Sequence, residues 1–439
     1  MSAQHPDAVV IGAGVIGTAI AHELSARGLR TLSVDALPAA GYGSTSNSSA
    51  LIRFTYSTYV GVAMSWEGYH YWKDWPAYLG VDDERGLITF NQCGTILLKR
   101  PGGHHVKVVP HFDRLGIPYE DWDADQLQER MPGLDLGVMG PPKRVDDDAF
   151  WADPTERLPG AIWTPDSGYV NDPQLAAHNL QRAAEAKGAT FRFSTKVISV
   201  DRSGGRVSGV TLDDGTSVSA PIVVNVAGPH SGAVNALAGL AGTMNIGTRP
   251  LRHEVHHLDA AGQQGQPAPV QVPYHVSDGD TGVYFRPDVG GTIVVGSEDP
   301  PCDDRHWVDD PDHFDTAVTN EQWETQVLRL ARRLPDLQVP NRPKGIAALY
   351  DVADDWIPIY DRTDLDGFYV AIGTSGNQFK NSAVAGHCMA ELITAVEAGH
   401  DHDGDPLVVR GRYTGLELDL AAFSRNRTIH ADSSFSVNG

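Results

Sequence analysis

Three glycines near the beginning of the chain have the spacing that binding of a dinucleotide requires. Gly12, Gly14 and Gly17 follow an apolar run at residues 8–11 and open a helical pattern at residues 18–27. The first glycine permits a tight turn, the second lets a pyrophosphate approach the backbone, and the third lets the helix pack against the strand. The helix start adds free N–H groups and a positive dipole end that favour phosphate. The segment predicts a strand, a phosphate-binding turn and a helix.

An acidic residue completes this pattern. A second apolar run at residues 31–34 predicts a strand that ends on Asp35, and this carboxylate can accept hydrogen bonds from an adenosine ribose. The motif alone does not distinguish NAD from FAD. The residues predicted to contact the dinucleotide here are Gly12, Gly14, Val15, Ile16, Gly17 and Asp35.

A hydroxyl-rich loop at residues 41–53 follows and ends in an arginine. It contains Ser44, Thr45, Ser48 and Ser49. Its composition is typical of a flexible linker. The alternative is that these hydroxyl groups meet a second phosphate or a flavin ring.

A second strand–glycine–helix pattern lies near the end of the chain. Residues 367–373 predict a buried strand, 374–380 a turn and 381–395 a helix, whose beginning again favours an anion. Residues 222–228 predict another buried strand that ends in a glycine. By themselves these segments indicate no more than strand–helix–strand units.

The composition excludes several classes of partner. Lys and Arg total 34 against 56 Asp and Glu, which gives a net charge of −22 and disfavours nucleic acid and anionic membrane surfaces. The three cysteines are far apart, which predicts no disulfide framework and no zinc site and suits a reducing cytosol. No apolar stretch is long enough to span a membrane, and residues 1–7 are too short and polar for a secretory signal. We therefore expect a cytoplasmic protein.

Together, the glycine fingerprint, the hydroxyl-rich loop and the segment 367–380 resemble the FAD-dependent D-amino acid oxidase superfamily. The likeness is greatest to its sarcosine oxidase, glycine oxidase and dimethylglycine dehydrogenase branch, and it runs from residue 7 to residue 400. The resemblance implies FAD, with Val197 beside the adenine, Ala227 and Gly228 near the pyrophosphate, and the last turn at the N1/O2 edge of the flavin ring. In that turn it assigns cofactor contacts to Gly373, Ser375, Gly376, Phe379 and Lys380.

The same resemblance implies which residues meet the substrate. In monomeric sarcosine oxidase-like enzymes an arginine after the loop and a lysine in the last turn hold a carboxylate, and Arg53 and Lys380 match these places. Arginine binds a carboxylate in bidentate fashion and lysine adds a point charge. Tyr284 matches a strand tyrosine that packs over the substrate, and Arg286 is the second candidate for the carboxylate. The alternative is that the cations form structural ion pairs and the tyrosine is plain packing.

Three positions depart from the family pattern. The lysine that promotes reaction with oxygen aligns with Val294, which leaves oxygen, a protein or a quinone open as the electron acceptor. The residues that attach the flavin covalently align with Ala348 and Asn47, and Cys302 lies in an acidic loop. We therefore expect FAD to be bound non-covalently.

A histidine-rich stretch is the other candidate for chemistry. On a strand, alternation places His253 and His257 on one face and His256 on the other. This arrangement favours a polar strand beside a cavity over a metal site, and we predict no metal.

The predicted fold is α/β, in part α+β: a Rossmann-type FAD domain interleaved with an antiparallel-sheet substrate domain. The predicted FAD domain comprises residues 1–85, 155–232 and 343–427, the substrate domain residues 86–154 and 233–342, and a polar tail residues 428–439. The large sheet is expected to include strands at 89–98 and 291–295.

The predicted reaction is oxidation of the C–N bond of a secondary or N-methyl amino acid by hydride transfer to flavin N5, after which the imine hydrolyses. Three alternatives stay open. They are a dehydrogenase of the same chemistry, a different substrate class such as a hydroxy acid or polyol phosphate, and a flavin subunit that requires other proteins.

Overall fold

The computed structural model describes residues 5–259 and 270–439. The helices are α1 (Val15–Ala26), α2 (Tyr59–Lys73), α3 (Trp75–Leu79), α4 (His105–Leu115), α5 (Ala124–Arg130), α6 (Pro173–Glu185), α7 (Ser231–Leu237), α8 (Asn320–Arg333) and α9 (Ser382–Glu397). None of these described helices is both long and apolar enough to cross a membrane.

The strands are short and numerous. They are β1 (Ala8–Ile11), β2 (Thr31–Val34), β3 (Leu51–Ile52), β4 (Phe90–Asn91), β5 (Thr95–Leu98), β6 (Glu120–Asp123), β7 (Gly160–Thr164), β8 (Gly168–Val170), β9 (Thr190–Arg192), β10 (Val197–Ser203), β11 (Arg206–Leu212), β12 (Ser217–Ser219), β13 (Ile222–Asn225), β14 (Thr248–Asp259), β15 (His275–Asp278), β16 (Val283–Asp288), β17 (Thr292–Ser297), β18 (His306–Trp307), β19 (Gly345–Ala353), β20 (Ile359–Arg362), β21 (Phe368–Ile372), β22 (Val408–Arg410) and β23 (Glu417–Asp419).

A six-stranded sheet in the order β20-β21-β13-β1-β2-β9 organises the nucleotide-binding half. Five of its strands are parallel, and β20 pairs antiparallel with β21. The central strands β1, β13 and β21 are almost wholly apolar because both of their faces are covered. On one face α1 packs against α6 and α9, so closely that a Cβ on Gly386 would lie 2.8 Å from the Ala19 backbone. The other face buries Val9 and Val223 against the three-stranded sheet β10-β11-β12.

A large, mainly antiparallel sheet forms the second half. Its order is β18-β14-β17-β16-β15-β5-β7-β6, with β19 paired to β14 outside this path. One face packs on α8, where Val276, Phe285 and Val295 meet Trp323 and Val327 in a second core. Alternate residues point to the opposite face, which we call the site face. The α/β fold class with a Rossmann-type sheet and an antiparallel sheet is confirmed.

The structure differs from the prediction in one strand and in the sheet to which two other strands belong. The predicted strand 89–98 is two strands, since β4 joins β3 and β8 in a small sheet and only β5 enters the large sheet. Strands β7 and β19, placed by sequence with the FAD domain, pair with β5 and β14 of the large sheet. Apolar alternation identifies a strand but contains no information about its pairing partner, which explains both differences.

The last residues do not form the polar tail that the sequence predicts. Ser433, Ser436, Val437 and Asn438 are buried. Val437 packs with a small cluster that includes Trp356, and the Ser433 hydroxyl donates to the Asp355 carbonyl at 2.6 Å. We call residues 433–439 the closing segment, because it covers part of the site described next.

Candidate active site

The glycine loop after β1 is shaped by close backbone contacts. Gly12 has φ of +108°, and a Cβ there would lie 2.4 Å from the Val226 carbonyl oxygen. A Cβ on Gly17 would lie 2.0 Å from the Gly12 oxygen, so these two positions require glycine for the fold itself. A Cβ on Gly14 would meet only the Thr45 hydroxyl, at 3.2 Å. Gly14 therefore leaves open the space in front of α1, which is the space a pyrophosphate needs.

Asp35 lies at the carboxyl end of β2, beside this loop. Its carboxylate accepts hydrogen bonds from the backbone N–H groups of Ala13 (2.6 Å) and Leu37 (2.8 Å). Burial raises the pKa of this carboxyl group. The arrangement fixes the side chain at the edge where a ribose would lie.

The other predicted cofactor residues collect at the same edge of the six-stranded sheet. Ala227 and Gly228 follow β13, and Gly373 follows β21. Val197 begins β10 of the three-stranded sheet, two residues after Thr195, whose N–H donates to the Asp35 carbonyl at 3.0 Å. Ala227 lies directly beside Gly12, since a Cβ on Gly12 would come within 3.2 Å of the Ala227 Cα. Because parallel strands end at one edge, the topology brings these distant segments together.

The hydroxyl-rich loop is ordered by specific hydrogen bonds and is not a flexible linker. Thr45 Oγ1 accepts from the Val15 N–H at 3.1 Å, and Ser44 donates to the Leu349 carbonyl at 2.7 Å. Ser48 Oγ accepts from the backbone two residues on, at 3.0 Å. Ser49 Oγ lies 2.7 Å from Tyr284 Oη. The loop thereby joins the helix start to the large sheet.

The last turn is held from beneath by Asp351. The Gly373 N–H donates to this carboxylate at 2.6 Å, and the Ser375 N–H donates to the Asp351 carbonyl at 2.7 Å. Burial raises the pKa of Asp351 to about 7. A Cβ on Gly376 would lie 2.4 Å from the Tyr350 ring, so packing against this ring requires glycine at position 376. Phe379 stacks on Trp72 with centroids 5.1 Å apart.

Arg53 and Lys380 form a buried pair of cations. Arg53 is 6 % exposed and Lys380 is 3 % exposed. Lys380 Nζ donates to Tyr56 Oη at 3.0 Å and to the Asn377 carbonyl at 2.8 Å. Burial, followed by the neighbouring Arg53, holds the pKa of Lys380 well below its usual range. Within residues 5–259 and 270–439 neither cation forms an ion pair with a carboxylate.

The Arg53 guanidinium is positioned by neutral oxygens. Nη1 donates to the Thr55 carbonyl (3.0 Å) and hydroxyl (2.8 Å), and Nη2 donates to the Val437 carbonyl of the closing segment (2.8 Å). Three of its five N–H groups thus have acceptors in the described chain. The other two are available to a ligand.

Tyr284 and Arg286 both lie on the site face of the large sheet, as alternation on β16 requires. The Tyr284 ring covers Gly296 of β17, where a Cβ would lie 2.5 Å from the ring. Arg286 donates to the Ser49 carbonyl at 3.0 Å, pairs with Asp288 at 2.9 Å and lies over the Tyr169 ring at 4.3 Å. Arg286 therefore has a carboxylate partner, unlike Arg53.

Sequence reasoning missed three features of this site. Glu298 follows β17 and is buried, the Ser277 hydroxyl donates to it, and burial raises its pKa to about 7. His275 begins β15 on the site face. The closing segment contacts Arg53. His275 and Ser277 alternate on β15, and Ser277 lies opposite Tyr284. This pairing indicates that His275, and Glu298 as the partner of Ser277, belong to the site. The signal becomes visible only when the strand register is known.

The departures from the family pattern lie in varied surroundings. Val294 is buried on β17, directly opposite Arg286. Ala348 pairs with His253, and Asn47 donates to the Gly43 carbonyl within its loop. Cys302 contacts the guanidinium of Arg329 at 3.3 Å. Non-covalent attachment of the cofactor remains a prediction.

The histidines of β14 divide between the two faces as predicted. His253 stacks on Tyr350, with centroids 4.6 Å apart, and pairs with Asp299 at 2.8 Å. His256 lies on the opposite face against Trp323. Elsewhere, Asp83, Glu84 and His178 lie close enough to share a metal ion, but Glu84 is also paired with Arg182. The expectation of no metal stays a prediction.

Comparison with protein families identifies the class of enzyme. Residues 7–392 match the model of the family described as FAD dependent oxidoreductase. The chain belongs to this family. This membership shows that FAD is the cofactor and that the enzyme is an FAD-dependent oxidoreductase. The open space before α1, the helix N-terminus and Asp35 fit such a dinucleotide. Both predictions are confirmed.

Individual relatives are distant but cover most of the chain. The monomeric sarcosine oxidase of Streptomyces avermitilis is 24% identical over 419 residues, which are 90% of this chain and 95% of the relative. The crystal structure of glycine oxidase from Geobacillus kaustophilus has a TM-score of 0.71 and 20% identity, covering 97% of this chain and 100% of that one. That of L-proline dehydrogenase from P. horikoshii has a TM-score of 0.72 and 22% identity, covering 90% and 94%.

Proposed function

We propose that the enzyme oxidises the C–N bond of a secondary or N-methyl amino acid, and that Arg53 and Lys380 bind the substrate carboxylate. The observation that carries this proposal is the buried pair of cations without an acidic partner among the described residues. The chain has 56 acidic residues and a net charge of −22, so an acidic partner for each cation was readily available to the fold.

The energetics of the pair favour an anionic ligand. Two like charges in a buried site disfavour each other, and each loses hydration without recovering it from a counter-ion. A carboxylate between them compensates both and accepts charge-assisted hydrogen bonds from the two free N–H groups of Arg53. The lowered pKa of Lys380 describes the site without its anion. A bound carboxylate is expected to restore the charged form.

The remaining residues orient the other end of the substrate. FAD, when bound along the glycine loop, supplies the two-electron acceptor for this chemistry. Tyr284 presents its ring on the site face and is fixed there by Ser49. The ring packs against the amine end and excludes water from it. The amine loses two electrons and two protons overall, and water then hydrolyses the resulting imine to a carbonyl and an amine.

The names of the similar proteins agree with this substrate class. Sarcosine, glycine and proline are all amino acids, and sarcosine and proline are secondary amines. These amino acids share a carboxylate beside an amine. Arg53 and Lys380 would bind the carboxylate, and Tyr284 would contact the amine end.

The electron acceptor separates two versions of the proposal. Val294 is a buried apolar residue where the sarcosine oxidase-like pattern has a lysine, and one of the structural neighbours is named a dehydrogenase. A cation near the flavin stabilises superoxide, so its replacement by valine favours a dehydrogenase that uses a protein or quinone acceptor. Arg286, opposite Val294, is a cation that supports oxygen as the alternative.

Anaerobic mixing with a panel of secondary, N-methyl and primary amino acids tests both questions. We expect the oxidised flavin band to bleach fastest with a secondary or N-methyl amino acid. Hydroxy acids and polyol phosphates should leave it unchanged. Air is then admitted: reoxidation slower than turnover with a quinone supports the dehydrogenase, and rapid reoxidation contradicts it. No bleaching by any amine contradicts the proposal, and bleaching only after a partner protein is added indicates a flavin subunit.

A further inference from the structure

His275 lies on the site face of the large sheet, among the residues of the candidate substrate site. It pairs with Thr95 of β5, and two residues on, Ser277 pairs with Tyr284. Alternate residues of a strand share a face, so the His275 ring lies on the side of Tyr284. The two ring centroids are 6.1 Å apart. The intervening Val276 faces the core on α8.

One nitrogen of this ring has no partner in the part of the chain that the structure describes. Nδ1 lies 3.1 Å from Thr95 Oγ1. Nε2 is buried and forms no hydrogen bond with residues 5–259 or 270–439. A buried polar atom without a partner has lost its hydration without compensation, which a ligand with a matching donor would supply. The orphaned atom lies where the proposed function requires a ligand.

The surroundings of the ring are positively charged. Burial, with Arg53, Arg286 and Lys380, holds the pKa of His275 well below its usual range. The groups shown in contact with the ring are neutral, namely Thr95 on β5 and the phenol of Tyr284 on β16. The acid of the site, Glu298, accepts from Ser277, two residues further along β15. His275 is therefore a neutral imidazole at physiological pH. The Thr95 hydroxyl can accept from Nδ1–H, and in the tautomer that carries its proton on Nδ1, Nε2 presents a lone pair to the site.

We propose that His275 Nε2 accepts the hydrogen bond from the N–H of the substrate amine, which makes it the residue that selects an amine over an isosteric ether. The inference rests on the proposed function, because it needs a carboxylate held by Arg53 and Lys380. A secondary amine keeps its nitrogen lone pair when its single N–H is donated to His275. The cations around the ring disfavour an ammonium group, so the amine releases its extra proton to water on binding.

The test compares two ligands on two proteins. The ligands are sarcosine, or the N-methyl amino acid that bleaches the flavin fastest, and the ether in which oxygen replaces its N–H. The dissociation constant of the amine comes from the concentration dependence of anaerobic flavin bleaching. That of the ether comes from the change it causes in the flavin spectrum. In His275→Phe we expect the amine constant to rise at least tenfold and the ether constant to change less than threefold.

Two further variants keep the result interpretable. His22→Phe is the matched control, because His22 Nδ1 is also buried and unpartnered within the described chain but lies in α1 against Tyr78; it should change neither constant. His275→Gln keeps an acceptor and should restore part of the amine preference even if His275→Phe binds FAD poorly.

Each failure has a separate signature. Equal changes for amine and ether, or an unchanged amine preference in both His275 variants, would overturn the assignment. If the unaltered protein is bleached by no amine, the proposed function itself fails.

Discussion

Replacing Arg53 by alanine is expected to weaken the binding of a carboxylate substrate at least a hundredfold, while FAD stays bound. The change corresponds to about 2.8 kcal/mol. Its origin is the loss of charge-assisted hydrogen bonds in a buried site, where Lys380 is left as the single cation. Arg53→Lys keeps the charge but not the planar pair of N–H groups, and we expect it to restore affinity only in part.

The measurement is titration of a non-reacting carboxylate ligand, followed by the flavin spectrum. Arg114→Ala is the control, because Arg114 is exposed on α4, where its guanidinium lies over Tyr59. It should bind like the unaltered protein. A loss below tenfold in Arg53→Ala, with normal FAD content, would show that Arg53 does not hold the carboxylate.

Replacing Gly14 by alanine is expected to weaken FAD binding strongly without unfolding the chain. Gly14 has φ of −67° and ψ of 178°, which alanine adopts readily. Its Cβ would meet only the Thr45 hydroxyl in the chain, at 3.2 Å, but it would occupy the space before the helix N-terminus that a pyrophosphate needs. We expect the dissociation constant of FAD to rise at least a hundredfold, about 2.8 kcal/mol.

Flavin content after purification, FAD titration and thermal unfolding check this prediction. Gly133→Ala is the matched control, because a Cβ there meets nothing within 4 Å and lies in the other half of the molecule. Gly12→Ala should instead unfold the protein, because its Cβ would lie 2.4 Å from the Val226 oxygen at a positive φ. Normal flavin content in Gly14→Ala would contradict the assignment of this loop to the cofactor.

A feature of the site could be predicted from the sequence when the residues that form it lie close together in the chain. The glycine loop could be predicted because its residues are close together in the sequence. Gly12 permits the tight turn, and Gly17 permits close packing at the start of the helix. Tyr284 and Arg286 were predicted from the resemblance to the family, and the structure places both on one face of β16. By contrast, His275 and Glu298 belong to the site only because β15 and β17 flank β16, and pairing across such separations is not encoded in any short window.

The closing segment shows a second limit. Its residues are mostly polar, which predicts a solvated tail. In the structure its contacts to Arg53 and Ser57 are made by backbone carbonyls, those of Val437 and Asn438. Every residue has a carbonyl, so side-chain composition contains no trace of this interaction.

The proposed function requires that a carboxylate, held by Arg53 and Lys380, places an amine over FAD. Anaerobic bleaching of the flavin by a secondary amino acid and by its uncharged primary amide tests it most directly, because the two ligands share the amine and differ in the charge. We predict bleaching by the amino acid and at least a hundredfold lower efficiency with the amide. Equal bleaching by both would show that Arg53 and Lys380 do not hold a substrate carboxylate.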